Sequence, residues 1–325
     1  MNFILSSSTY LRYFAPIVLE ANKRNIQSNF FLAENKKYDS VLKDKNFNQI
    51  QNFSKVNKVS LHSLNDINKF SGTTFVIEGD RSDIIDRNKH LIVSITYHTD
   101  FTHLLKKYIN SVDHIIMPSI SITKKYNFEL DKNLYFGSPK YDYIPDKNDV
   151  LKRYQLSHDK KYCLVIAPRN RDAGKIDMIN IFSRIKKLGY EILVKTRGKD
   201  PVRNKLCRGD YYFEDAIWFP HTTMDLIHIS DFVVNFESTA IKECVLLKTP
   251  VINFNCKPFD TPLKFLYDYD YCLMIDDSSE DFTIRLKKLL KQDNLNAFND
   301  SIKENLFEPG HASKKILDFI ERKIK

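Results

Sequence analysis

SDFVVNFESTAIKECVLLKTPVINF, residues 230–254, reads as strand, polar loop, helix and strand. Residues 232–235 form a short β-branched and aromatic run of the kind that fills a buried parallel strand. Glu237, Ser238 and Thr239 follow at the carboxyl end of that strand. Ser238 or Thr239 suits the cap of a helix that begins near Ala240 and carries Ile241, Val245 and Leu246 on one face. Thr249-Pro250 ends the helix, and residues 251–254 start the next strand. In open α/β sheets, ligands bind outside the carboxyl ends of the strands, where helix N-termini present unpaired N–H groups. A hydroxyl pair in that position suits a phosphate, and Glu243, about one turn into the helix, suits ribose hydroxyls. An ordinary capped crossover without any ligand fits the same residues.

The strand–helix alternation extends through the second half of the chain. Residues 162–167 (YCLVIA) are a strand that ends in Pro168-Arg169-Asn170-Arg171-Asp172. Arg169 and Arg171 suit a bidentate clamp on a diphosphate; surface salt bridges are the plainer alternative. Residues 176–188 form a helix stopped by Gly189, and residues 190–195 the next strand. A short strand is expected at 216–219, around Trp218, before His221-Thr222-Thr223 opens another helix. A strand at 273–275 and amphipathic helices at 282–290 and 311–324 are expected to close this half.

The first half alternates in the same way. A strand at 3–5 leads through SSSTYLRYF to a helix at 13–24, with Pro16 placed in its first turn, and to a strand at 29–33. No GxGxxG accompanies this βαβ opening, so a dinucleotide fingerprint is absent. Arg12 suits a phosphate or an acceptor, or is a solvated loop arginine. Residues 36–69 are polar, rich in Asn and without a clear assignment. The strand at 72–77 ends in Glu78-Gly79-Asp80-Arg81, and the strand at 91–96 runs into Tyr97-His98-Thr99-Asp100 before a helix at 101–109. An imidazole at a strand-to-helix junction suits a general base at neutral pH, so His98 is the catalytic candidate; a structural histidine is the alternative. Strands at 113–117 and 134–136 follow, and residues 145–149 (PDKND) read as a linker, dividing the chain into 1–148 and 149–325.

Composition narrows the function classes. The 325 residues are 42% hydrophobic and 28% charged, which suits a globular protein with room for two domains. No apolar run approaches the roughly 20 residues that span a bilayer, and the first residues lack the features of a secretory signal. The five cysteines are scattered without a CxxC pair, which fits a reducing cytoplasm better than a zinc knuckle or disulfide framework. The net charge of +9 is spread along the chain, so nucleic acid ranks last among anionic partners, behind phosphorylated substrates and an anionic membrane surface.

Together these stretches resemble the GT-B glycosyltransferase-like superfamily, and within it the CDP-glycerol glycerophosphotransferases and related capsule and surface-polysaccharide transferases. Tyr97-His98-Thr99 is similar to that group's strand followed by His-Gly-Thr. Gly137-Ser138-Pro139-Lys140-Tyr141-Asp142 resembles its Gly-x-Pro-Arg-x-Asp turn, and residues 231–252 its donor-binding strand, hydroxyl turn and helix. Glu308-Pro309-Gly310-His311-Ala312-Ser313 resembles its Asp-Gly-x-Ala-Ser segment before a last helix. Two departures stand out: Thr99 and Asp100 follow His98 where the group has Gly then Thr, and Lys140 replaces the usual arginine.

The resemblance implies an α/β protein of two Rossmann-like βαβ domains facing a central cleft: an acceptor-side domain at 1–148 and a nucleotide-donor domain at 149–325. The donor, a nucleotide diphosphate carrying a glycosyl, glycerol-phosphate or polyol-phosphate group, is then held by Ser238, Thr239 and Glu243, with Arg169, Arg171 and His221 near its phosphates. His98 becomes the acceptor-side base, and Arg12 and Asp80 the acceptor-side candidates. The acceptor is a glycan or polyol phosphate, lipid-linked in the version that places the protein peripherally on the inner face of the membrane. No Asp-x-Asp pair sits at a strand end, so no metal or other cofactor is expected. Two alternatives stay open. One is a non-hydrolysing UDP-N-acetylglucosamine 2-epimerase, whose Gly-Asp strand end is similar to Val76-Ile77-Glu78-Gly79-Asp80, although Ser238-Thr239-Ala240 and a single Glu243 replace its Ser-Gly-Gly turn and glutamate pair. The other is a non-catalytic nucleotide-sugar-binding protein.

Overall fold

The computed structural model describes residues 1–33, 41–43, 46–97, 107–125, 127–168, 173–174, 176–196, 201–202, 209–214, 217–255, 263–277, 281–306 and 310–324. Two compact units emerge. The first comprises Met1–Tyr143, Ile217–Phe219 and Asn305–Lys325; the second comprises Ile144–Ala216 and Pro220–Glu304.

In the first unit the strands are β1 (Asn2–Leu5), β2 (Asn29–Leu32), β3 (Ser60–Ser63), β4 (Gly72–Ile77), β5 (His90–Ile95), β6 (His114–Ile116) and β7 (Asn133–Leu134). They form one sheet in the order β3-β2-β1-β4-β5-β6-β7, with parallel pairing throughout. The central strands are almost continuously buried, as parallel strands covered on both faces are. Polar β3 pairs only with β2 and is half-exposed, which is why its sequence carries no strand signal. The helices are α1 (Leu11–Lys23), α2 (Phe47–Val56) and α3 (Ile120–Lys125). Helix α1 begins two residues earlier than the sequence suggests, so Pro16 lies in the second turn, where the hydrogen bond to the Arg12 carbonyl is missing. Its buried face, Leu11, Phe14, Ile17, Val18 and Ala21, packs into the core with Phe3, Phe30 and Phe75.

The second unit opens with α4 (Lys147–Arg153) and continues as β8 (Tyr162–Ile166), α5 (Met178–Lys187), β9 (Glu191–Thr196), β10 (Tyr211–Glu214), α6 (Thr222–Ile229), β11 (Phe232–Asn235), α7 (Ile241–Leu246), β12 (Val251–Phe254), β13 (Cys272–Ile275), α8 (Thr283–Lys291) and α9 (Leu295–Asn305). Its parallel sheet has the order β10-β9-β8-β11-β12-β13. Of the short strand expected at 216–219, residue 216 lies outside the described residues, and residues 217–219 form no strand but pack in the first unit: Phe219 meets Phe53, and Trp218 donates through Nε1 to Ser8 at 3.0 Å.

The last helix, α10 (Ala312–Ile324), corrects the domain boundary drawn from sequence. It belongs to the first unit, not the second. Ile316, Leu317 and Ile320 enter the first core beside α1. Arg24, at the end of α1, meets Asp318 at 2.8 Å, Glu321 at 3.2 Å and Glu20 at 3.1 Å. The helix start is held by Asp142, whose carboxylate accepts from the backbone N–H groups of Ala312 (3.0 Å) and Ser313. Two separate sequence motifs, the turn ending in Asp142 and the segment before the last helix, therefore form one device. A carboxylate distant in sequence satisfies the orphan donors of a helix N-terminus.

Asp142→Ala is expected to destabilise the protein by roughly 0.5–2 kcal/mol, the usual worth of such a cap. Urea unfolding reads this directly, and an unchanged midpoint contradicts the capping role.

Candidate functional site

In the second sheet the chain winds outward from β8 through β9 to β10, then returns to place β11 on the other side of β8. The carboxyl ends of β8 and β11 are thus the topological switch point, where diverging connections open a crevice for a ligand. Arg169 and Arg171, in the loop after β8, lie outside the described residues, as does His98 in the first unit.

The loop after β11 is built from below. Asn235 and Asn253 are register partners at the ends of β11 and β12, and both are fully buried. Asn235 Nδ2 donates to Asn253 Oδ1 (3.0 Å) and lies 3.1 Å from the Tyr267 hydroxyl and 3.3 Å from the Ser238 carbonyl. The Tyr267 hydroxyl donates to that same carbonyl at 3.1 Å, and Asn253 Oδ1 also accepts the Glu237 N–H at 3.0 Å. Burial pushes the Tyr267 hydroxyl well above its ordinary pKa and keeps it a neutral donor. This scaffold holds Glu237 at φ 53°, a left-handed conformation that costs a non-glycine residue on the order of 1–3 kcal/mol. Phe236, stacked on Phe254 at 5.5 Å, anchors the apolar side of the turn.

Ser238 and Thr239 come to the surface here, Ser238 half-buried and Thr239 exposed. Neither occupies the cap position proper: Ala240 does, without a side-chain cap, and the Ser238 hydroxyl accepts the Ala240 N–H at 3.4 Å. Helix α7 has only six residues, so its dipole is small. An anion at this turn would rely on the two hydroxyls and on loop N–H groups. Glu243 lies on α7 at 4% exposure, beneath the turn rather than at its surface, whereas Glu237 is half-exposed at its rim.

His221 sits at the start of α6, which packs against α7. The residue is 7% exposed, and its carbonyl accepts the Asp225 N–H at 3.1 Å. One turn on, the fully buried Asp225 carboxylate accepts from Arg153 (2.5 Å) and the Tyr154 hydroxyl (3.1 Å), tying α6 to the end of α4. Burial lifts the Asp225 pKa while Arg153 and Tyr154 pull it back. Breaking such a buried pair by removing one partner is strongly destabilising.

In the first unit the switch point lies between β1 and β4. After β1, the Ser7 hydroxyl accepts the Thr9 N–H at 3.3 Å in a tight turn that launches α1. Arg12, on the first turn of α1, donates to the Tyr97 hydroxyl at 2.5 Å, and its guanidinium lies 4.9 Å from the Tyr97 ring centre, 5.5 Å from Tyr13 and 5.6 Å from Trp218. Arg12 is therefore no loosely solvated side chain. After β4, Glu78, Gly79 and Arg81 all take positive φ (51°, 74° and 67°). A Cβ on Gly79 would lie 2.5 Å from the Tyr108 Cβ, so glycine is required there. The buried Glu78 carboxylate accepts the Tyr97 N–H at 3.0 Å and so fixes the end of β5. Asp80 is half-buried, 3.8 Å from Arg81 Nε. Burial raises the Tyr10 hydroxyl pKa, and the nearby Asp80 carboxylate adds to the shift, so both groups share one corner with Tyr97.

The structure thus gathers Ser238 and Thr239 at one switch point and Arg12, Asp80 and Tyr97 at another. Asn253, Tyr267, Glu237 and Trp218 were missed from sequence. Trp218 carried one signal, as a lone indole three residues before His221.

No protein-family model matches the chain, and no curated protein matches it in sequence. Solved structures do match in fold. The wall teichoic acid polymerase TagF superposes with a TM-score of 0.72 at 14% identity, over 99% of this chain and 88% of that one. A Listeria monocytogenes protein assigned as a UDP-N-acetylglucosamine 2-epimerase gives 0.68 at 12% identity, over 100% and 96%. The Methanocaldococcus jannaschii UDP-GlcNAc 2-epimerase, solved with UDP-GlcNAc and UDP, gives 0.59 at 14% identity, over 99% and 99%. The two Rossmann-like α/β units are thus those of the GT-B fold. Among the described residues, no helix is long and apolar enough to cross a membrane.

Asn253→Ala removes the acceptor shared by the Asn235 amide and the Glu237 N–H. A buried donor left unsatisfied costs roughly 1–3 kcal/mol, so chemical denaturation should show a loss of that size. A wild-type stability would mean that the turn does not depend on this pair.

Proposed function

We propose that the chain is a transferase that moves a glycosyl, glycerol-phosphate or polyol-phosphate group from a nucleotide diphosphate donor to a hydroxyl acceptor, in the assembly of a surface polysaccharide such as a capsule or teichoic-acid-like polymer. The observation that carries this reading is the Ser238-Thr239 turn, set at a switch point on a buried Asn235–Asn253–Tyr267 scaffold. Donor phosphates would meet the two hydroxyls and loop N–H groups, with Arg169, Arg171 and His221 as further phosphate contacts; Glu243, expected toward the ribose, is buried beneath the turn and would support it from below. Stabilising charge on the departing nucleotide diphosphate by preorganised donors is the main catalytic demand of such a transfer. His98 would take the acceptor proton, and Arg12 and Asp80 would engage the acceptor. No metal is invoked. The donor groups named in the neighbouring structures, UDP-GlcNAc and UDP, are of the class proposed here. Work on a lipid-linked acceptor at an anionic membrane surface, from the cytoplasmic side, is consistent with the net charge of +9.

A second reading, nucleotide-sugar epimerisation, is favoured by the likeness in fold to the 2-epimerases. The Glu78-Gly79-Asp80 strand end supports it, and the single Glu243 weighs against it.

Thermal-shift titration with CDP, UDP, GDP and ADP, and with their sugar or glycerol conjugates, tests the donor site, because a ligand of the native state raises Tm by mass action. Ser238→Ala and Thr239→Ala should each weaken nucleotide binding by about 1.5–3 kcal/mol, the worth of a hydrogen bond to a charged group. Unchanged affinity in both removes the donor assignment. His98→Ala should lower turnover about 10²–10⁴-fold with donor affinity kept. A wild-type rate would show that another group takes the proton, and epimer formation without an acceptor would favour the second reading.

A further inference from the structure

The first unit carries a cluster whose chemistry defines an occupant more narrowly than the proposed function does. Arg12 lies among Tyr13, Tyr97 and Trp218, with its guanidinium carbon 4.9–5.6 Å from the three ring centres. Tyr10 packs edge-on against Tyr97 at 6.0 Å, and Tyr13 lies 5.4 Å from the same ring. Tyr13 is buried, whereas Arg12, Tyr10, Tyr97 and Trp218 are each half-buried, so solvent reaches part of the cluster.

The cluster is held rigidly from beneath. Glu78 fixes the Tyr97 backbone, and the Tyr97 hydroxyl accepts from Arg12. Trp218 is pinned twice, by its Nε1–H on Ser8 Oγ at 3.0 Å and its backbone N–H on Gln49 Oε1 at 2.9 Å. Phe219 wedges between Phe53 and Tyr143. All of this sits where β1 and β4 part, the position at which open α/β sheets take ligands.

Preorganised aromatic faces with one fixed cation make a site of a particular kind. A guanidinium stacked on rings keeps its planar fork of donors in one orientation, which suits a carboxylate or phosphate oxygen pair. An indole or phenol face suits a rigid surface of C–H groups, which a pyranose ring offers and an open-chain polyol does not. Asp80, beside Tyr10, supplies a carboxylate able to accept from ring hydroxyls. We propose that Arg12, Tyr97 and Trp218 form a subsite for an anionic sugar residue, its ring on the aromatic faces and its carboxylate or phosphate ester on Arg12. This rests on the transferase reading for its place as the acceptor subsite, and it makes the acceptor a negatively charged glycan rather than a polyol chain.

Trp218 is the only tryptophan in the 325 residues, so its fluorescence reports this subsite alone. The full-length protein is titrated with glucuronic acid and glucose 6-phosphate, and in parallel with glucose, glycerol 3-phosphate and inorganic phosphate. The expected result is a saturable change in Trp218 emission with the two anionic sugars, at least about 10-fold tighter than with glucose or glycerol 3-phosphate, a gap of about 1.4 kcal/mol. Comparing the two sugars shows which anion Arg12 prefers. Raising the salt concentration should weaken the anionic sugars and leave glucose unaffected. Arg12→Gln should bring the anionic sugars to the glucose level. If that variant does not fold, Arg12→Lys keeps the charge, loses the planar fork and should narrow the gap.

Equal affinity for glucose overturns the role of Arg12, equal affinity for glycerol 3-phosphate overturns the ring-stacking role, and no response to any sugar overturns the subsite. The nucleotide titration separates this inference from the reading beneath it. Nucleotide binding without anionic-sugar binding removes the subsite and leaves the donor assignment. Sugar binding without nucleotide binding keeps the subsite and removes the transferase.

Discussion

The hydrogen bond between the buried side chains of Asn235 and Asn253 is the constraint on which the candidate donor site depends. Parallel strands bury their side chains on both faces, so a polar pair at the end of two neighbouring strands must find its partners within the protein. Here those partners are the Ser238 carbonyl, the Glu237 N–H and the Tyr267 hydroxyl. These contacts, made through Asn235 Nδ2 and Asn253 Oδ1, determine the path of the next four residues. The left-handed Glu237 is the local strain that this network sustains, and it turns Ser238 and Thr239 outward.

The first unit meets the same demand with a different residue. Glu78 follows β4 in a left-handed conformation, as Glu237 follows β11, and each of these strands lies beside the first strand of its own sheet. Glu78 uses its carboxylate where the second unit uses an asparagine pair: it takes the Tyr97 N–H and fixes the neighbouring strand end. The consequence is an aromatic corner around Arg12 rather than a hydroxyl turn. Two sheets of like topology therefore present opposite surfaces at their switch points, one of hydroxyls and backbone groups, the other of rings and a cation.

Much of the fold was legible because the central strands are strongly apolar. Runs such as 72–77, 162–167 and 232–235 read as strands and lie where expected, within a residue or two. The missed strands, β3 and β10, are both at sheet edges, where one side lacks a partner and the burial that shapes the sequence signal is incomplete. Ser238 and Thr239 were legible as a hydroxyl pair after a strand, but their support was not. Asn253 and Tyr267 lie 15 and 29 residues from Ser238, and nothing local marks their convergence. Trp218 was misread as part of a strand because its partners, Ser8 and Gln49, come from the other end of the chain.

The sequence by itself determined the class: alternating apolar runs and amphipathic helices, which bury enough surface only as parallel sheets covered by helices, and polar loops at the strands' carboxyl ends. Those features are local, set by side-chain period and turn chemistry. Tertiary structure decided the rest. It returned the last helix to the first unit through Asp142, placed Glu243 beneath its turn, and converted Arg12 from a loop cation into one fixed among aromatic rings. Each of these depends on groups that meet only after distant segments pack, where burial makes an unsatisfied polar group costly and so selects the single arrangement that satisfies it.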